Sequence, residues 1–243
     1  MTRSPFLVAA VIVAVVGTAA AGAVPGVVAA QTAPASLWDG LYTDDQASRG
    51  NAVFITTCAN CHTLDSQGNR PLSGKKFWDS YTQKTVGDLF TYIQKNMPNG
   101  NGGSLSEKTY ADLVALVLKS NGIPAGTTDL VPSAVAAIPI IPKDGPGELP
   151  AGALVRVVGC LAKNGSDFVL TSATAPQRTD KSGITPEDAT RPLGEKSIAL
   201  KFLLTKLDAD IGKRVSASGL LIGVGGIGGL NVSTVTKVAD SCP

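Results

Sequence analysis

The run Cys58-Ala59-Asn60-Cys61-His62 constrains this 243-residue chain more than any other feature, because it holds two of the four cysteines and the only histidine. Thiols three positions apart on a helix lie on one face, so both sulfurs can reach one edge of a planar group, and the next residue presents an imidazole beside them. A C-x-x-C-H run therefore fits covalent haem attachment: two thioether bonds to the vinyl groups, with His62 on the iron. The competing readings are a redox dithiol, half of a zinc site, and a structural disulfide. A thioredoxin-like pair would open a helix after a strand, whereas this pair closes a helical pattern that begins at Asp44. Zinc would need further ligands, and only the distant Cys160 and Cys242 remain to supply them.

The second axial position can be approached by elimination. The chain has two methionines, and Met1 opens an apolar leader, which leaves Met97. Thr85 with Asp88 three positions later spells a capping box for a helix carrying Leu89, Phe90 and Ile93, which ends at Met97 before Pro98. The bland alternative is that Met97 fills core space, the commoner use of methionine. With His62 and Met97 both on iron, no position is open for a small substrate, and electron transfer is the chemistry that remains. A thioether opposite imidazole raises the reduction potential, and burial against Phe54, Phe90 and Ile93 acts in the same direction.

Residues 1–30 read as a secretory signal, with Thr2 and Arg3 ahead of an apolar run from Phe6 to Ala30. The segment is either cleaved before Gln31 or kept as a membrane anchor, against which Pro25 and Gly26 weigh by interrupting a spanning helix. Both outcomes place the chain outside the cytoplasm, and a periplasmic location is expected. The remaining composition, 44% hydrophobic and 16% charged, is that of a folded protein. A net charge of +2 without basic and aromatic clustering gives no reason to expect nucleic acid as a partner.

The chain divides into an α + β multidomain arrangement. Residues 31–126 have a helical pattern, with one helix from Asp44 to Cys61, a second after Thr85 and a third capped by Ser106 and closed at Asn121 and Gly122. Residues 127–151 read as a Pro/Gly-rich linker, partly docked. Residues 152–243 alternate in the manner of strands at Leu154 to Leu161, Phe168 to Ser172, Ser197 to Leu204, Arg214 to Ile222 and Leu230 to Val238, as in a small all-β barrel or sandwich. The run from Gly223 to Gly229 reads as a wide hairpin turn. Cys160 and Cys242 stand at the two ends of this region and are either a disulfide or two free thiols, with export favouring the disulfide.

Gly50, Phe54, Cys58 to His62, Pro71-Leu72, Met97-Pro98 and the helix Tyr110 to Asn121 together resemble class I cytochrome c, over about residues 40 to 126. Gly68, Phe77-Trp78, Asp88-Leu89, Gly103-Ser104-Leu105, Tyr110-Ala111-Asp112 and Asn121 to Gly126 are similar to the cytochrome domains that accompany PQQ-dependent alcohol dehydrogenases. The resemblance implies one covalent haem c, a close crossing of the first and last helices at Gly50, and a hydrogen bond from His62 Nδ1 to the Pro71 carbonyl. It also offers Trp78 and Tyr81 as haem propionate partners. On the same grounds the partners are redox proteins, with a quinoprotein dehydrogenase as donor and a terminal oxidase or second cytochrome as acceptor, and the polypeptide itself is not an enzyme. Residues 31–123 carry eight basic and eight acidic side chains, so docking relies on shape more than on long-range steering. The stretch Leu207 to Gly219 is similar to small exported OB-like barrels, a docking or spacer module with Phe168 and Phe202 inside strands. Two other readings stay in view: a haem sensor or haem enzyme that releases Met97, and a binding protein in which the β region dominates.

Overall fold

The computed structural model describes residues 36–180, 183–204 and 206–242; the expected signal segment lies outside the described residues. Among the described residues no helix is long and apolar enough to cross a membrane. The architecture is α + β, with helices first and a sheet after.

Helix α1 (Asp44–Thr57) starts where the Thr43 hydroxyl accepts from the Gln46 amide, with Asp44 and Asp45 in its positive first turn. Helix α4 (Glu107–Ser120) is capped in the same way by Ser106, which accepts from the Thr109 amide. The two cross at Gly50, where an added Cβ would run into the Asp112 carbonyl, so only glycine permits the approach. Helix α3 (Val86–Asn96) carries both halves of the capping box between Thr85 and Asp88. Two short helices join these: α2 (Lys75–Tyr81) and α5 (Pro132–Val135).

The first helix stops earlier than the periodicity predicts. It ends at Thr57, and the cysteines follow on a separate turn in which the Cys61 and His62 amides both donate to the Cys58 carbonyl, each at 3.0 Å. The spacing logic survives because this turn still brings residues three apart to one side.

Residues 127–151 do not form a free connection. Leu130, Val135, Ile138 and Ile140 are buried in the helical core, while Leu149 belongs to the core of the sheet. The strap is held by backbone: Gln83 N–H donates to Ile140 C=O at 3.0 Å, Val86 N–H to Ile138 C=O at 2.9 Å, and Gly87 N–H to Ala136 C=O at 3.1 Å. The Gln46 side chain serves Leu130 at both backbone groups, as donor at 3.1 Å and acceptor at 2.6 Å.

The sheet has six strands: β1 (Leu154–Asn164), β2 (Asp167–Ala173), β3 (Gln177–Arg178), β4 (Lys196–Lys201), β5 (Arg214–Ile222) and β6 (Gly229–Ala239). Five match the expected segments, and the two-residue β3 is additional. Pairing runs β2-β4-β6-β5-β1-β3, β1 also pairs with β2, and the β4–β6 ladder alone is parallel. The expected segment Ser197 to Leu204 is too long: β4 ends at Lys201, and Phe202 beyond it is 73% exposed at φ 58°, outside any strand. Cys160 and Cys242 form a disulfide with Cα atoms 5.6 Å apart, tying β1 to the end of the chain. The loop after β3 is fastened by Asp188, fully buried, which accepts from the Ser216 hydroxyl at 3.0 Å.

Candidate functional site

A cavity of about 610 Å³ opens among the helices, within the range of roughly 300–1,000 Å³ usual for cofactor sites. Its lining brings together Cys58, Cys61, His62 and Met97, from two segments well separated in sequence. Most of the rest is apolar, with Phe54 from α1, Ile93 from α3 and Leu113 from α4 among the contributors. Phe90, also expected to shield the site, is buried in the core but does not line the cavity.

The imidazole is oriented from behind. His62 Nδ1 lies 2.9 Å from the Arg70 carbonyl, and since a carbonyl only accepts, Nδ1 carries the proton and the Nε2 lone pair is free for a metal. The acceptor is one residue upstream of the Pro71 that the resemblance implies. Arg70 sits at φ 42°, in the left-handed region, and the turn this makes delivers its own carbonyl to the ring. Pro71 is used instead in an isolated parallel bridge to Thr63, where Leu72 N–H donates to the Thr63 carbonyl at 2.9 Å.

Met97 lies just past the end of α3, its N–H bonded to the Ile93 carbonyl at 2.9 Å. Its own carbonyl accepts from the Tyr110 hydroxyl at 2.8 Å, and that oxygen accepts in turn from Leu105 N–H at 3.3 Å. Tyr110 is fully buried, so the loop carrying Met97 is bolted to α4. The sequence shows Tyr110 as a helix residue but gives no sign that its hydroxyl holds this loop. Asn121 has a similar role across the cavity: its amide donates to the Leu72 carbonyl at 3.0 Å and accepts from Gly74 N–H at 2.9 Å.

Of the two aromatic residues expected near the propionates, Tyr81 lines the cavity and Trp78 does not. Trp78 stacks on Trp38 with ring centroids 6.4 Å apart, and Trp38 is anchored through Nε1 to the Ile141 carbonyl of the strap at 3.0 Å. Trp78 is thus occupied by packing. Burial pushes the Tyr81 hydroxyl up to about 12, with a smaller contribution from Tyr92. Three cations that sequence reasoning did not single out, Arg70, Lys76 and Lys84, also reach the lining. A cationic side chain in a mainly apolar cavity is the only signal that could have found them, and it needs the fold.

The donor set fits an iron porphyrin: a neutral imidazole nitrogen, a thioether sulfur, two free thiols and an apolar enclosure. It does not fit zinc, since among the described residues no group of three or more His, Cys, Asp or Glu is placed to hold a metal ion.

Residues 45–117 match the family described as cytochrome c oxidase, cbb3-type, subunit III. No curated protein and no solved structure matches the chain. The matched residues span α1 to the last turns of α4 and so contain the whole C-x-x-C-H run and Met97. The match supports a c-type cytochrome domain in the helical region, a family whose cofactor is covalent haem c and whose function is electron transfer.

Proposed function

We propose that this chain is a periplasmic electron carrier in which one haem c, joined to Cys58 and Cys61, is ligated by His62 and Met97 and receives electrons from a quinoprotein-type dehydrogenase. The observation that carries the ligation is the Arg70 carbonyl on His62 Nδ1, which leaves Nε2 to a cavity that Met97 also lines. Bound there, haem c supplies a one-electron couple. The protein's own contribution is to hold the two ligands from behind, through Arg70 and Tyr110, so that little rearrangement accompanies a change of charge. Apolar lining disfavours the extra charge of the ferric form and keeps the potential high. The Cys160–Cys242 disulfide favours an oxidising compartment, in keeping with export.

The sheet reads best as an OB-like barrel serving as a docking or spacer module. In support, the pairings run β1-β2-β4-β6-β5 and back to β1, so the five longer strands follow one another around a ring. The parallel β4–β6 ladder is the crossover such a ring needs.

The test is the visible spectrum of the protein exported from a host with c-haem maturation. The expected result is pigment that survives denaturation, with a low-spin ferric spectrum and a weak methionine-to-iron band that vanishes in Met97→Ala. Haem removed by acidic solvent would sink the attachment. A high-spin spectrum would refute Met97 ligation and favour a sensor. Rapid reduction by a PQQ-dependent alcohol dehydrogenase is expected, and no reduction would refute that donor.

A further inference from the structure

Arg178 ties the sheet to the helical domain through three hydrogen bonds. Arg178, half of the two-residue strand β3, donates from Nε to the Thr82 carbonyl and from Nη2 to the Asp79 carbonyl, each at 2.8 Å. Its own N–H donates to Gln83 Oε1, also at 2.8 Å. These acceptors are the last turn of α2 and the residues just after it, where the chain also adopts φ 64° at Gln83. The same short stretch supplies Tyr81 and Lys84 to the cavity lining, with Lys84 Nζ 5.4 Å from the centre of the Tyr81 ring.

The carboxylates nearest this turn are shared with other partners. The Asp79 carboxylate is engaged by Lys75 at 2.6 Å, and the Asp88 carboxylate is spent on the α3 cap, accepting from Thr85 N–H at 2.8 Å. Burial lowers the pKa of both Lys84 and Arg178 and outweighs the opposing pull of Asp88 on Lys84 and of Asp79 on Arg178; for Lys84 the nearby Arg178 charge lowers it further. Lys84 on the mainly apolar lining, with the Arg178 charge near enough to act on it, offers a cationic partner to an anion in the cavity. A haem has two, its propionates.

We infer that the C-terminal sheet completes the haem site: Arg178 is a positioning residue that fixes the 79–84 turn and, with Lys84, sets a positive field for the propionates. This rests on the haem reading above and goes beyond it, because it gives the sheet a role in the redox centre. A cation near the haem opposes the extra positive charge of ferric iron, so its removal stabilises the ferric form and lowers the midpoint potential.

The experiment is spectroelectrochemical titration of the exported, full-length holoprotein as wild type, Arg178→Gln, Arg178→Lys, Lys84→Gln and the Arg178→Gln/Lys84→Gln double variant. Both single charge-removing variants should show a lower midpoint potential, the double variant a shift smaller than the sum, and Arg178→Lys a potential close to wild type. A purely structural tie would lower the melting temperature in Arg178→Gln and Arg178→Lys alike while leaving the potential in place, and that outcome overturns the inference. Should Arg178→Gln fail to fold, Lys84→Gln decides, and an unchanged potential there also overturns it. Wild-type protein without covalent haem refutes the underlying haem reading, a result distinct from holoprotein whose potential ignores both residues.

Discussion

Tyr110→Phe isolates the bolt behind Met97. The ring stays and the hydroxyl goes, so no cavity larger than one oxygen opens and the packing of α4 is kept. Two backbone groups lose their partner: the Met97 carbonyl, bonded at 2.8 Å, and Leu105 N–H, bonded at 3.3 Å. A net intramolecular hydrogen bond contributes about 0.5–1.5 kcal/mol, and a buried group left unsatisfied costs about 1–3 kcal/mol. The 3.3 Å contact belongs at the low end, so a loss of about 1–2 kcal/mol is expected by denaturant unfolding of the holoprotein. The more telling readout concerns the ligand. Residue 97 is fixed on one side by the α3 bond to Ile93 and on the other by this hydroxyl. Freeing one side should let imidazole displace the methionine at lower concentration, followed by loss of the methionine-to-iron band. A stability within 0.5 kcal/mol of wild type together with an unchanged imidazole titration would falsify the bolt.

Gly50→Ala adds about 1 kcal/mol of helix propensity but drives a Cβ into the Asp112 carbonyl, a backbone atom that cannot step aside, so a net loss of about 1–3 kcal/mol is expected in equilibrium unfolding. Replacing both Cys160 and Cys242 by serine opens a loop of 82 residues and should destabilise the sheet by about 2–5 kcal/mol while the haem spectrum stays unchanged; equal unfolding midpoints with and without the disulfide would refute this. Burial holds the Tyr42 and Tyr81 hydroxyls up to about 12, so the unfolded chain loses their protons first as pH rises. Stability should therefore fall from about pH 10 to about pH 12, with ultraviolet titration showing Tyr42 and Tyr81 ionising late; ionisation of both near pH 10 in the folded protein would contradict it.

What could be read in the sequence was local. The Thr85–Asp88 capping box and the Ser106 cap depend on residues a few positions apart, and both are present, as is the Gly50 crossing that the resemblance implies. What escaped depends on distant partners. Helix α2 follows Gly74, at φ 67° and without a side-chain cap, so nothing nearby announces it. Strand β3 exists only through its pairing with Val155 and Arg156. The Pro71 expectation failed by one residue because a resemblance carries over residue types, whereas the carbonyl that meets His62 is chosen by the backbone angle at Arg70. Tyr110 and Arg178 act through atoms whose importance appears only when the loops they hold are seen.

The strap between the helices and the sheet shows how much burial an irregular segment can supply. Proline and glycine mark residues 127–151 as lacking sustained periodicity, and the one-turn α5 is the one regular element there, but lack of periodicity is not lack of burial. Leu130, Val135, Ile138 and Ile140 are each no more than 6% exposed, and full burial of such side chains stabilises by roughly 1.5–3 kcal/mol apiece. Four of them amount to the scale of a domain's whole net stability, about 5–15 kcal/mol. Their irregular spacing follows from how they are held, since an extended segment bonded to residues 83–87 can bury whichever side chains fall on its inner side. The strap thus secures from one side the turn that Arg178 secures from the other, through Gln83 N–H on Ile140 and Gln83 Oε1 on Arg178 N–H. Gln83 is the point where the helical core, the strap and the sheet meet, and Lys84 beside it lines the cavity, so the sheet and the strap are both within one residue of the haem site.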